Sequence, residues 1–305
     1  MSELTNTVYF DKKKHNKFVR RYQKQAYIFI LPAALFLITF SYIPLILSLF
    51  RSFRSYSTGE FVGLNNFIYI LKTPAFTKSL TNVLILSLAV VIIQVVTSFL
   101  MGQLIYSVPK KLGNIVKIAI YIPNMMSGVI TAIIFNLLFR YNRGLLDGIM
   151  ITLGKDPIYF AQDGIWPYLC VIVPTVWIGF GYNSILMLSG RLNIPREYYE
   201  AASIDGASAI QKMFMITLPN MGNYMVLMLV NLITANLQML EIPLMITGGG
   251  PQNSTLTPAM YLFQAFNNPM NDRNVSIAGS FLVMIPITVL NIIAFKCIRT
   301  KGAEE

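Results

Sequence analysis

Three groups of polar residues interrupt an otherwise apolar sequence, and each implies a different chemistry. Asn231, Thr234, Gln238 and Glu241 are spaced i, i+3, i+7 and i+10, which puts them on one face of a helix. Asn236 lies off that stripe. The second group is Trp177-Ile178-Gly179-Phe180-Gly181-Tyr182-Asn183, where glycines permit close approach and Trp177 and Tyr182 offer ring surfaces. Carboxylates and amides suit the hydroxyls of a sugar, and aromatic rings suit its apolar faces. The competing reading is that these groups pack the interior or join neighbouring helices by hydrogen bonds. Ser127 and Asn136 are further polar groups of the same kind. The third group is the connector holding Tyr198, Tyr199, Glu200, Ala201, Ala202, Asp205 and Gly206. Its chemistry is recognition: Glu200 can pair with a cation, and Ala201 and Ala202 let a helix enter a cleft closely. The alternative for this segment is an amphipathic helix resting on a bilayer.

Other chemistries find no residues. No G-x4-G-K-[S/T] occurs, and the glycine run Gly248-Gly249-Gly250 lacks the lysine that would follow in a phosphate cradle. No carboxylate pair suggests hydrolysis of glycosides. His15 is the single histidine, and Cys170 and Cys297 stand alone in apolar runs, so no zinc site is expected. The chain is expected to be no enzyme, with no catalytic residue, metal or cofactor of its own.

The elements that position these residues are membrane spans. Hydrophobic residues make up 55% of the 305 and charged residues 12%, against roughly 25% charged in soluble domains. The net charge of +11 sits in tails and short connectors, a pattern of membrane topology and not of nucleic-acid binding. Six segments, 26–50, 80–107, 115–139, 166–189, 224–247 and 275–298, can each cross about 30 Å of hydrocarbon. The expected fold is all-α, a polytopic membrane protein of six helices. Prolines within the spans are expected to kink and not break them. A carboxylate at mid-helix costs about 2.5–3.5 kcal/mol on insertion scales, so Glu241 should face the bundle or a water-filled cavity.

Sixteen Lys and Arg fall on the side of the termini and eight on the other. Both termini are therefore expected in the cytoplasm, with the connector around Glu200. The first apolar run, roughly 25 residues, exceeds a signal-peptide core and reads as an uncleaved helix. Residues 1–25 form a basic cytoplasmic tail, 26–300 a transmembrane domain with its long cytoplasmic loop at 190–220, and 301–305 a cytoplasmic end. Within that loop, Pro195 suits a first helical turn, Glu197 and Glu200 favour the positive end of the helix dipole, and Gly206 can close the helix in a left-handed conformation. A helix is expected over 195–205 and a second over 207–218.

The string Glu200-Ala201-Ala202-x3-Gly206-x9-Ile216-x-Leu218-Pro219 resembles the EAA loop of permease subunits of ATP-binding-cassette importers. Thr247-Gly248-Gly249-Gly250-Pro251, followed by Ser254-Thr255, resembles the outer loop of the maltose-transporter-F-like sugar permeases. The likeness is to compact six-span members of that family. It implies a type I importer fold and half of a translocation pathway for a sugar or oligosaccharide. It also implies a second permease as heterodimer partner, two cytoplasmic ATPases carrying ATP and Mg, an extracytoplasmic sugar-binding protein, and residence in a bacterial plasma membrane. The motif gives Tyr199, Glu200, Ala201, Ala202, Asp205 and Gly206 the coupling role. Matched to the maltose-type Trp-Leu-Gly-Tyr-Pro-Tyr stretch, Gly179 and Tyr182 fall on sugar-contacting positions, as Asn236 does in the fifth span. Asn231, Gln238 and Glu241 complete the expected pathway. Gly181 departs from the family's proline. Importers of other polar solutes, such as a glycerol phosphate ester, remain an alternative. So do an ion-coupled secondary transporter and a membrane scaffold.

Overall fold

The computed structural model describes residues 26–142 and 144–301. The basic tail 1–25 with His15, Arg143 and residues 302–305 lie outside the described residues. Among the described residues the regular structure is helical, with one isolated bridge between Arg54 and Phe61.

Helix α1, Ala26–Ser52, is apolar all round, and none of its most apolar stretch is buried. It carries a π turn at Ile38–Tyr42, where the Ile43 N–H reaches the Ile38 carbonyl just before Pro44. The wider turn accommodates the proline ring without ending the helix. A short helix α2, Asn65–Lys72, leads into α3, Pro74–Ser107. Helix α3 packs most extensively against α7, Trp166–Leu192. The interior of α3 carries Ser79, Asn82, Ser87, Gln94 and Ser98. Small polar side chains allow close helix packing where lipid supplies no hydrophobic drive.

The third expected span is not one helix. Helix α4, Lys110–Tyr121, continues through the tight turn Ile122–Met125 and meets α5, Gly128–Phe139, at an angle of 98°. Pro123 removes a backbone donor, and the Ser127 Oγ accepts from Ile130 N at 3.3 Å to start α5 afresh. Among the described residues five helical segments are thus long and apolar enough to cross a membrane, six when this bent pair counts as one span. After α6, Leu145–Thr152, and α7, the connector forms α8, Arg196–Ile204, and α9, Ala209–Lys212.

The fifth span breaks as well. Helix α10 runs over Gly222–Leu237 and α11 over Glu241–Ile246. Helix α12, Pro258–Asn267, and α13, Arg273–Lys301, complete the bundle. Pro174 and Pro286 stay inside continuous helices, as expected, whereas the chain at Pro123 turns sharply. The core has one cluster around Leu86, Phe135, Val171 and Ile242 and another around Phe99, Met187, Met228 and Leu232. The two interrupted spans pack on each other through α5 and α11.

Candidate functional site

All six residues expected on a pathway line one cavity of about 440 Å³: Gly179, Tyr182, Asn231, Asn236, Gln238 and Glu241. Asn231 and Asn236 both stand within the continuous α10, roughly 140° apart at 3.6 residues per turn, so the cavity meets more than one face of that helix. The interruption at Gln238, Met239 and Leu240 follows them and also lines the cavity. Glu241 is accordingly not a mid-helix residue but the first residue of α11. The break frees the Met239 carbonyl, and the buried Thr257 hydroxyl donates to it at 2.8 Å. Without that donor the carbonyl would be an orphan in an apolar surround.

The rest of the expected stripe divides. Thr234 turns to the last helix, where its Oγ1 lies 3.0 Å from Asn291 Oδ1. Asn136 Nδ2 donates to the Met245 carbonyl at 3.0 Å, and Ser127 caps α5. Thr234 and Asn136 thus join helices, the role of interhelical hydrogen bonds, whereas Ser127 starts one. Trp177 packs edge-on against Phe135 at 5.4 Å between ring centroids. Gly181 permits a backbone contact, since a Cβ there would overlap the Ile120 carbonyl.

Three lining residues with polar side chains were not singled out from the sequence: Gln94, Asn124 and Thr175. A single Gln inside Val90-Val91-Ile92-Ile93-Gln94-Val95-Val96 is a signal by its cost alone, because an amide at membrane depth needs a partner. The amides share a pattern. Gln94 Nε2 donates to Val176 O at 3.3 Å, Asn124 Nδ2 to Ile178 O at 3.3 Å, Asn183 Nδ2 to Gly179 O at 2.9 Å and Asn236 Nδ2 to Leu232 O at 2.7 Å. Each amide nitrogen gives one of its two N–H groups to a helix carbonyl, which leaves one N–H and the oxygen. With the Glu241 carboxylate they make a polar wall rich in acceptors, suited to hydroxyl groups.

The connector forms a second candidate site. Pro195 is the N-cap of α8 and not part of its first turn, because its extended backbone (ψ 138°) precedes the helix. The far end follows the expectation: Gly206 has φ +76°, its N–H bonds Ser203 O, and the Ala207 N–H bonds Ala202 O at 2.9 Å. This is the paired bonding of a Schellman turn, which only a residue free of Cβ strain closes cheaply. The following helix starts at Ala209, later than expected, because Ser208 and Gln211 form a reciprocal capping box. It gives way to a π turn at Met213–Thr217 ahead of Pro219.

Glu200, Ala201, Asp205 and Gly206 are exposed, and Ala202 is half-buried. Tyr198 faces outward, whereas Tyr199 turns to the bundle. The Tyr199 hydroxyl lies 2.8 Å from Thr217 Oγ1, and its ring lies 4.0 Å from the Arg191 guanidinium. Arg191 also stacks on Tyr106 at 3.9 Å, so the ends of α3 and α7 and the helix α8 are joined at one cation. Apolar Ile204, 87% exposed, with Ile210 and Met215, leaves this surface uncovered. Among the described residues Glu200 has no cationic partner.

The third region singled out, Gly248-Gly249-Gly250, takes φ of 63°, 100° and 72°. Lys78 Nζ and Asn82 Nδ2 pin the loop that follows, each donating at 2.6 Å to the carbonyls of Gln252 and Asn253.

Residues 94–298 match the family model of the binding-protein-dependent transport system inner membrane component. The chain belongs to this family. The permease is 31% identical over 281 residues to the arabinooligosaccharides transport system permease protein AraP of Bacillus subtilis, covering 90% of this chain and 89% of that protein. It is 27% identical over 290 residues to the trehalose/maltose transport system permease protein MalF of Thermococcus litoralis, covering 94% and 97%. A solved bacterial alginate ABC transporter, in complex with alginate pentasaccharide-bound periplasmic protein, has a chain with the same fold. Its TM-score is 0.79 at 22% identity over 91% of this chain and 94% of that one. The resemblance carried by the EAA loop is thus borne out, and the chain is a multi-pass inner-membrane permease.

Proposed function

We propose that the permease carries a sugar or oligosaccharide inward across a bacterial plasma membrane, as half of a heterodimeric pathway driven by two ATPase subunits. The observation that carries this reading is the cavity: amide oxygens, one carboxylate and the Tyr182 ring converge on a space of about 440 Å³. Hydroxyl donors and the weakly apolar face of a sugar ring complement that lining. This half of the cavity is lined by no Lys, Arg or His, which makes an anionic phosphate ester the poorer fit. Relatives named for arabinooligosaccharides and for trehalose and maltose support the same substrate class.

Both termini lie in the cytoplasm, by the excess of Lys and Arg on that side. The connector around α8 then faces the ATPases, which hold the ATP and Mg. Its exposed Glu200, Ala201 and Ile204 dock in a cleft, and closure of the ATPase pair moves α8 as a rigid body. Tyr199 and Arg191 hand that motion to α3 and α7. The second permease covers α1, whose most apolar stretch is unburied among the described residues, and membrane lipid covers the remainder. An extracytoplasmic binding protein delivers the sugar to the opposite mouth.

The test is reconstitution of the permease with its partner subunits in liposomes, with labelled maltotriose and arabinotriose as probes. ATP-dependent uptake of at least one is expected, and Glu200→Lys with Ala201→Trp should abolish it while the complex still reaches the membrane. Uptake by the permease alone, without ATPase, would overturn the reading.

A further inference from the structure

We propose that Gln94, from the second span, is a specificity-determining residue of the cavity, and that Gly179 is glycine in order to seat it. This rests on the saccharide reading above and goes beyond the pathway residues of the fourth and fifth spans. Gln94 is 1% exposed, yet it lines the cavity. Its carboxamide fills the space that a side chain at 179 would take: a Cβ there would overlap Nε2 and lie 3.1 Å from Cδ. The same point lies 3.5 Å from Asn183 Nδ2, so the two amides and the glycine form one cluster across α3 and α7.

The cluster holds unused hydrogen-bonding capacity. Asn183 is 3% exposed and lines the cavity, and its Oδ1 is buried without a donor. Gln94 Nε2 makes only a long bond, 3.3 Å, to Val176 O, a carbonyl within the helix α7. Among the described residues nothing donates to Gln94 Oε1. A purely structural bridge between α3 and α7 would close these valences, because an orphan acceptor inside a bundle is costly. A hydroxyl entering beside Gly179 supplies the donor missing at Gln94 Oε1, and the second N–H of Gln94 Nε2 orients it. Sites built around hydrogen bonds to a substrate hydroxyl discriminate strongly, because an analogue lacking it leaves them unpaired.

The geometry also separates this role from direct contact between Gly179 and the solute. If the glycine makes room for Gln94, then Gly179→Ala harms the protein only while Gln94 is present. If it makes room for the sugar, the harm persists whatever stands at 94.

The experiment uses the full reconstituted importer, with maltotriose and arabinotriose as probes, and the thermal midpoint of the purified permease. Gly179→Ala should lower the midpoint and raise KM. Gln94→Ala added to it should restore the midpoint to that of Gln94→Ala alone. Gln94→Ala by itself should change the ratio of the two KM values by about fivefold to tenfold, the loss of one hydrogen bond. If Gln94→Ala does not fold, Gln94→Met keeps the volume without the amide and carries the same test. An unchanged KM ratio, or Gly179→Ala damage that Gln94→Ala does not relieve, would overturn the proposal while the saccharide reading stands. Failure of the unaltered importer to take up either probe would defeat the saccharide reading and this inference with it.

Discussion

The connector and the cavity are built on opposite plans. From Pro195 to Pro219 the shape of the connector is set by neighbours in sequence: a proline cap, a Schellman turn at Gly206, a capping box at Ser208 and Gln211. Apart from Tyr199 and the half-buried Ala202, its functional candidates point outward. The cavity draws Gln94, Asn124, Gly179 and Glu241 from four separate stretches of sequence, and its side chains are held by carbonyls of other turns or other helices. A surface that grips a partner can be encoded locally. A pocket that surrounds a solute needs convergence.

The largest effect is expected from the local plan. Gly206→Val forces a β-branched residue to φ +76°, at a cost of roughly 1–2 kcal/mol or more. The chain relieves it by reshaping the turn that aims α8. ATP-driven uptake should be nearly lost while membrane abundance holds, and uptake near the parent level would show that the turn does not set the coupling geometry. Next comes the seam between regions of the cavity. Thr257→Val deprives Met239 O of its donor, costing about 1–3 kcal/mol. The thermal midpoint should drop and KM should rise, and Thr257→Ser should recover both. If valine is silent, the break in the fifth span does not depend on the loop beyond it. The smallest effect sharpens the link between the two sites. Arg191→Lys keeps the charge and loses the flat stack on Tyr106 and Tyr199, a change of about 0.5–2 kcal/mol. Limited proteolysis should nick the connector faster, with the KM for sugar unaltered. A shifted KM would mean that this joint reaches into the cavity.

Much of the fold was readable because long apolar runs have one stable arrangement in lipid. Helices α3 and α7 lie where hydropathy put them, and Gly206 adopts the conformation its position implied. The two interruptions were not readable in the same way. Pro123 sits in a span like Pro174 and Pro286, yet only the first marks a sharp bend, and the difference lies in Ser127 standing ready to cap a new helix. In the fifth span Pro243 stands four residues after Met239 and lacks the N–H that would pair its carbonyl, but the group that takes over that carbonyl, Thr257, is eighteen residues away from it. Gln94 was overlooked for a related reason: the glycine that explains it belongs to another helix.

The sequence by itself determined the class, the number of crossings and the connector, because hydrophobic length, charge placement and helix capping act between residues close along the chain. Tertiary structure alone decided which polar residues share a cavity and which merely tie helices together. Thr234 and Asn231 are three residues apart, yet one bonds Asn291 and the other lines the cavity. Such choices depend on which face of a helix meets the cavity and on which neighbour offers an acceptor, and both are settled only when the bundle closes.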